Sequence, residues 1–151
     1  MKLLLENWRE YLAEEVKYSG ILMIRPSPEI ISQAKAVMAA ANLPPEALPL
    51  PDKALHITLV HQSILQPYRE KLKSMSFPPE PEIILATELK MWTNEDLGRK
   101  SWVIEIENQE DLRGYVNEVM EMLDAETNPD PDRVYHMTMA NLVGQSGGSV
   151  A

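Results

Sequence analysis

The sequence contains no cysteine, which excludes disulfide bonds, thiolate nucleophiles and cysteine-ligated zinc or iron–sulfur sites. It also has no long apolar run. The three consecutive leucines near its start fall far short of the roughly 20 residues that span a membrane. Together these absences favour a cytoplasmic location with no membrane partner. A single Phe leaves Leu, Ile, Met, Val and three Trp to fill the core.

Positive charge is scarce as well. The 151 residues include 14 Lys and Arg against 23 Asp and Glu, and the net charge is −9. No three basic residues occur in a row. Proteins that bind long nucleic acids displace phosphate counterions with a basic surface. We therefore expect no long nucleic-acid partner, and a small substrate if the substrate carries phosphates. Acidity that serves only solubility is the alternative.

The hydrophobic pattern alternates between strand and helix periodicity, which is typical of an α+β fold in one domain over 1–151. The predicted strands cover 20–24, 54–60, 83–92, 102–106 and 134–142. The predicted helices cover 3–16, 28–43, 63–75 and 111–123. Ser27 is the expected cap of the second helix, and Pro67 is expected to break the third. The Pro-rich segments 44–52 and 128–132 are predicted loops.

One ten-residue pattern occurs twice. Residues 49–58 and 129–138 share Pro-x-Pro-Asp-[Lys/Arg]-x-x-His-x-Thr, with five identical positions at an offset of 80 residues. The predicted elements before each copy also recur in order: a strand, a helix and a Pro-rich loop. This internal repeat, about 18–60 and 101–142, predicts two pseudo-symmetric lobes whose His strands face each other across a central cleft. Two copies are too few for a solenoid.

Each copy places a His and a Thr two residues apart, His56 with Thr58 and His136 with Thr138. Alternate residues of a strand share a face, so each pair points to one side. The other face is apolar and carries Leu55, Ile57, Leu59, Tyr135, Met137 and Met139. We therefore expect His and Thr to face the cleft. Two strands with similar preceding loops and no chemistry are the alternative.

Two histidines across a cleft suit general acid–base catalysis. An imidazole titrates near neutral pH, so one ring can start neutral as the base and the other protonated as the acid. Each Thr hydroxyl can donate to a non-bridging phosphate oxygen where charge develops. The matching reaction is phosphodiester cleavage, with His56, Thr58, His136 and Thr138 as the predicted catalytic residues.

Other reaction types lack their usual motifs. The closely spaced His-Glu-x-x-His zinc motif does not occur, and a third metal ligand is not apparent. A Gly-rich phosphate loop followed by Lys and a nucleophile elbow around Ser are also missing from the sequence. The sequence therefore predicts neither a metal nor a cofactor.

The segments His56-Ile57-Thr58-Leu59 and His136-Met137-Thr138-Met139 resemble the twin His-x-Thr/Ser-x motifs of the 2H phosphoesterase superfamily. The order of elements and the internal repeat resemble this superfamily over nearly the whole chain. The resemblance implies a bilobal two-histidine phosphoesterase fold, with lobes of antiparallel strands and helices around a cleft. It also implies metal-independent phosphodiester chemistry.

Within this superfamily, the chain looks most like the phage nucleases that degrade cyclic oligonucleotide signals of CBASS defence. Its short length, its acidity and the segment from His136 to the C-terminal Ser149-Val150 carry this resemblance. The implied substrate is a small cyclic or short oligonucleotide, the implied location is the host cytoplasm, and the expected state is a monomer or weak oligomer. An RNA 2′,3′-cyclic phosphodiesterase or 2′–5′ ligase-like enzyme is one alternative. A non-enzymatic nucleotide-binding module is another.

Several further residues have two interpretations each. Trp92 either stacks on a base or packs in the core, and Tyr18 is a weaker stacking candidate. Lys53 and Arg133 hold the same repeat position and either attract phosphate or are solvated loop cations. His61 is expected to be structural or exposed. The Gly/Ser-rich tail from residue 144 is either a disordered end or a flexible lid.

Overall fold

The computed structural model describes residues 14–125, 128 and 130–150. They form a mixed α+β structure around one open antiparallel sheet. The strands are β1 (Glu15–Tyr18), β2 (Leu22–Arg25), β3 (Leu48–Pro49), β4 (Ile57–Val60), β5 (Leu85–Asn94), β6 (Arg99–Ile106) and β7 (His136–Asn141). The helices are α1 (Pro28–Ala40), α2 (Gln62–Leu65), α3 (Arg69–Ser74) and α4 (Gln109–Met122). Short 3₁₀ turns cover Asp52–Ala54, Gln66–Tyr68 and Ser146–Gly148.

The strand order is β1-β2-β4-β7-β6-β5, with β3 paired to β7. The hairpins β1–β2 and β5–β6 form the two edges, and β4 and β7 lie side by side in the middle. A helix precedes each middle strand, α1 before β4 and α4 before β7. The two halves meet through the register pair Ile57 and Met137, which brings the two repeated His segments together.

Two local predictions for the helices are confirmed: the cap at Ser27 and the break at Pro67. The side chain of Ser27 accepts a hydrogen bond from the backbone of Ile30, and Pro28 occupies the first turn of α1. The helix ends at Ala40, earlier than the predicted 43. The predicted break near Pro67 is a 3₁₀ turn that separates α2 from α3, since proline cannot donate the backbone hydrogen bond of a continuous helix.

Two predictions of local structure are wrong in part. Residues 3–13 of the predicted first helix lie outside the described residues, but Glu15 and Val16 belong to β1, where they pair with β2. Leu48 and Pro49 were expected in a loop and instead pair with the end of β7. In both cases the pairing partner is distant in the sequence or across a hairpin, and such tertiary pairing overrides local propensity.

The apolar face of β4 and β7 is buried as expected. Leu55, Ile57, Leu59, Tyr135, Met137 and Met139 are each at most 1% exposed and belong to one hydrophobic cluster with the inner face of α4. Burial of such a side chain contributes about 1.5–3 kcal/mol. The hydrophobic cluster therefore fixes β4 and β7 through one face, and the opposite face carries the His and Thr side chains. None of the described helices is long and apolar enough to cross a bilayer.

Candidate active site

His56, Thr58, His136 and Thr138 line one cavity of about 220 Å³, here called the central cavity. They meet there because β4 and β7 are antiparallel neighbours and the four residues share the face opposite the core. His56 lies one residue before β4, and His136 is the first residue of β7. The structure thus brings the four residues together, and their catalytic roles stay predictions.

Both imidazoles are held by the same local hydrogen bond. Nδ1 of His56 lies 2.9 Å from the carbonyl oxygen of Ala54, and Nδ1 of His136 lies 3.0 Å from that of Val134. A carbonyl oxygen only accepts, so Nδ1 must carry the hydrogen in each ring. In the neutral ring, Nε2 is then the basic nitrogen, and in the charged ring it is a donor. The repeat therefore supplies two rings whose Nε2 atoms can exchange protons.

The surroundings of the two rings differ. His136 is only 7% exposed, whereas His56 is half-buried. Trp92 of β5 lies against His136, with ring centroids 4.2 Å apart. Burial lowers the pKa of His136 below its ordinary value, and the charges of Arg133 and His56 lower it further, while the hydrogen bond to Val134 raises it. The net effect favours the neutral form of His136.

Arg133 is a fixed cation in the wall of the central cavity. Its side chain is 8% exposed, so it is not a solvated loop cation. Its Nε donates to the backbone oxygen of Thr58 over 3.2 Å, and its Nη1 donates to Nε2 of His61 over 2.7 Å. Asp130 lies 3.8 Å away. These contacts hold the guanidinium beside the two His-x-Thr segments.

His61 is the third histidine, and it also lines the central cavity. Because arginine can only donate, Nε2 of His61 must accept, which requires the neutral ring. Burial lowers the pKa of His61, and the neighbouring Arg133 charge lowers it further, with Asp130 opposing. The sequence placed His61 five residues after His56, on the opposite face of the strand or past its end, and therefore predicted a structural or exposed residue with no role in the cavity. Its contact with Arg133 spans 72 residues and leaves no local signal.

Two further depressions adjoin the central cavity. The Trp92-side depression is lined by Trp92, Asp130, Arg133, Val134 and His136. The His56-side depression is lined by Ser19, Ile21, Met23, Arg25, Lys53, Ala54, His56 and Ser146. Each shares a histidine and other wall residues with the central cavity, so the three form one groove. Their volumes of about 310, 320 and 220 Å³ suit a small ligand rather than a duplex.

The groove is cationic although the chain is acidic. Among the residues that the structure describes, its walls contain four basic residues but only one acidic residue, Asp130. The four basic residues are Arg25, Lys53, Arg99 and Arg133. A concave surface of one sign concentrates ligands of the opposite charge. The groove is therefore suited to an anion.

The C-terminal segment forms one wall of the central cavity through Ser146, Gly147, Ser149 and Val150. Asn141, which is fully buried, donates to the backbone oxygen of Gln145 and to the hydroxyl of Ser149. The buried hydroxyl of Ser101 accepts from the backbone of Val150 over 2.7 Å. Residues 144–150 therefore have a defined place, and the interpretation of this segment as a disordered end is wrong. Whether it opens as a lid stays a prediction.

The remaining candidates are placed differently. Trp92 is partly buried and lies in the Trp92-side depression, with its ring against that of His136. Lys53 is exposed and lies in the His56-side depression. Tyr18 packs against the hydrophobic core from β1 and does not line any of the three depressions as the described residues define them.

Arg25 and Arg99 are wall residues that sequence reasoning missed, since neither lies in the repeated pattern.

The lowered pKa values of His61 and His136 predict how stability depends on pH. Between their native pKa values and the ordinary value of 6.5, the unfolded chain binds more protons than the folded one. The free energy of unfolding should therefore fall as the pH drops through this window. Urea unfolding from pH 8 to about pH 5 measures it. In the double variant His61→Gln, His136→Gln the decline should be shallower, and an unchanged slope would contradict the prediction.

Comparison with known proteins assigns no family. A scan against protein-family models gives no match, and a search of curated proteins finds no similar protein. Among the described residues, no group of three or more His, Asp or Glu side chains is arranged to hold a metal ion. The residues that line the groove are therefore the basis for inferring a function.

Proposed function

We propose that the protein is a metal-independent phosphodiesterase in which His56 and His136 share acid–base catalysis. One observation carries this proposal: both rings line the central cavity and both are fixed through Nδ1, which leaves Nε2 as the proton-exchanging atom. The symmetric strand order around β4 and β7 supports the bilobal two-histidine phosphoesterase fold as part of the same proposal.

In the proposed reaction, Nε2 of neutral His136 takes the proton of a 2′-hydroxyl or of water, and the freed oxygen attacks the phosphorus. The bond from phosphorus to the departing oxygen breaks, and Nε2 of protonated His56 gives that oxygen its proton. His136 is assigned as the base because its buried position lowers its pKa and favours the neutral ring. Exchange of protons with water then restores both rings.

The other wall residues would stabilise the charge that develops on the phosphate. The hydroxyls of Thr58 and Thr138 face the same cavity and can donate to the non-bridging oxygens. Arg133 supplies a fixed positive charge, held by Thr58 and His61 before any substrate binds. Such preorganised groups need no rearrangement during the reaction, which is the condition for effective electrostatic catalysis.

We propose cyclic oligonucleotide second messengers as the substrate, and phage counter-defence against CBASS as the purpose. The groove is cationic, small and walled on one side by residues 146–150, while the chain as a whole has a net charge of −9. These features suit a compact anion better than a long nucleic acid. The aromatic ring of Trp92 in the groove adds a surface on which a base can stack.

The test is incubation with cyclic di- and trinucleotides, a nucleoside 2′,3′-cyclic phosphate and linear RNA, with products separated by chromatography. Preferential cleavage of the cyclic oligonucleotides is the expected result. Selective opening of the 2′,3′-cyclic phosphate would instead favour an RNA-processing enzyme. Binding of nucleotides without any turnover would contradict the catalytic proposal and favour a binding module.

Chelators should leave the activity intact. The proposed mechanism moves protons between imidazoles and donates hydrogen bonds from hydroxyls, so no step requires a divalent cation. Turnover measured in excess EDTA should equal turnover in its absence. Loss of activity in EDTA, followed by recovery when a single metal is added back, would show that the site is a metal site.

A further inference from the structure

The two ends of the groove differ in chemistry. At the His136 end, the wall includes the aromatic ring of Trp92, and its one cation, Arg133, lies beside Asp130. At the His56 end, the described wall residues include Arg25 and Lys53, and none of them is a Trp, Tyr or Phe. A base stacks on an aromatic ring, whereas a phosphate binds to guanidinium and ammonium groups. The groove therefore presents a base-binding end and an anion-binding end.

Arg25 makes one hydrogen bond through its side chain, and its Nε has no partner among the described residues. Its Nη1 donates to the backbone oxygen of Lys53 over 2.8 Å, which leaves the guanidinium fixed in the depression. Its Nε is buried and has no hydrogen-bond partner within the described ranges. A buried donor without a partner costs free energy, and a bound water or anion is one arrangement that would satisfy it.

Neither cation is neutralised by the part of the chain that the structure describes. In that part, Lys35, Lys71, Lys90 and Arg113 each form an ion pair with a carboxylate within 4.0 Å, but Arg25 and Lys53 form none. Asp130, the only acidic residue among the described wall residues of the groove, lies at the other end beside Arg133. Arg25 and Lys53 therefore line the depression, and no carboxylate of the described residues forms an ion pair with either of them.

The two copies of the repeat differ in how they use their equivalent cations, Lys53 and Arg133. Lys53 and Arg133 hold equivalent positions, 80 residues apart. Arg133 is buried and bonded to Thr58 and His61, while Lys53 is exposed. Only one of the two equivalent cations is therefore part of the cavity wall, and the other is available at the groove's His56 end.

We propose that Arg25 and Lys53 form a binding site for a second phosphate group, the one that neighbours the reacting phosphodiester in an oligonucleotide. The inference rests on the proposed function, because it takes the central cavity as the place of the reacting phosphate. An Arg and a Lys together provide a planar pair of donors and a mobile point charge, a combination suited to phosphate. The preferred substrate then contains at least two phosphates, with a base at the Trp92 end.

The experiment compares three linear substrates: the dinucleoside monophosphate ApA, the same molecule with a 5′-phosphate and the same molecule with a 3′-phosphate. We expect one of the two phosphorylated forms to have a kcat/KM at least about 10-fold above that of ApA, as for a charged hydrogen bond. Arg25→Gln and Lys53→Gln should each reduce this preference, measured as the ratio of kcat/KM for the phosphorylated substrate to kcat/KM for ApA. The charge-matched controls are Arg69→Gln for Arg25→Gln and Lys73→Gln for Lys53→Gln, since both control residues lie exposed in α3.

Arg25 also holds the turn before His56, so Lys53→Gln is the decisive variant. If Lys53→Gln leaves the preference intact while Arg25→Gln slows all three substrates equally, Arg25 only supports the turn and the inference is overturned. Equal turnover of the three substrates by the wild type would also overturn it, with the proposed function unaffected. If the wild type turns over none of them, dissociation constants for the same molecules decide: a phosphate preference lost in Lys53→Gln upholds the site. The proposed function is then decided separately, by whether the wild type cleaves the cyclic di- and trinucleotides.

Discussion

Replacing His56 or His136 by Ala is expected to lower kcat by at least about 10²-fold, and by up to about 10⁴-fold, because each change removes one partner in proton transfer. The two rings act on one transition state, so the double variant should be little worse than the poorer single variant. Steady-state kinetics on a cleavable oligonucleotide, with all three variants at equal folded concentration, provide the measurement.

The fold should tolerate these changes, since both side chains face the cavity and no atom of the hydrophobic cluster is removed. Circular dichroism and thermal unfolding are the controls. His56→Gln and His136→Gln fill similar space without an imidazole, so they should be as inactive as the Ala variants. Wild-type turnover in a folded His56→Ala or His136→Ala variant would refute the central proposal.

Arg133→Met should lower kcat/KM by roughly 10- to 100-fold, as expected for loss of a charged hydrogen bond to a phosphate. The same change removes the bonds to Thr58 and His61. Arg133→Lys keeps the charge but cannot donate in two fixed directions, so it should recover only part of the activity. The kcat/KM values of the two variants are compared at equal folded fraction. The activity that Arg133→Lys recovers over Arg133→Met measures the effect of the charge, and the remaining loss measures the effect of the fixed donor geometry.

His61 provides the matched control for this effect. His61→Gln retains an acceptor for Nη1 of Arg133, whereas His61→Leu has a similar size and none. If Arg133 acts on the substrate from a fixed position, His61→Leu should lower kcat/KM and His61→Gln should restore it. Equal activity of the two variants would show that His61 does not position Arg133.

The parts of the site that sequence reasoning placed correctly depend on local geometry. The two-residue spacing of His56 and Thr58 fixes their shared face in any extended strand, and the apolar neighbours decide which face is buried. The same logic holds for His136 and Thr138. The cap at Ser27 and the break at Pro67 are equally local, because a hydroxyl and a missing N–H act within one turn.

The parts that it missed depend on contacts between distant segments. Lys53 and Arg133 are equivalent in the sequence, yet only Arg133 is buried, because His61 and the backbone of Thr58 lie within its reach. Arg25 enters the groove through a bond to a residue 28 positions away. The strand at Leu48 exists only because β7 lies beside it. None of these partners can be read from a window of neighbouring residues.

The attachment of the C-terminal segment affects how the protein is best produced for experiments. Val150 lines the central cavity and is bonded to Ser101, so a segment fused after the C-terminal residue is attached close to that cavity. A purification tag or fluorescent protein fused there would lie close to the proposed substrate site. A polyhistidine tag would in addition place extra imidazoles next to a site whose proposed chemistry depends on two. Assays on such a fusion would report the tag as well as the protein.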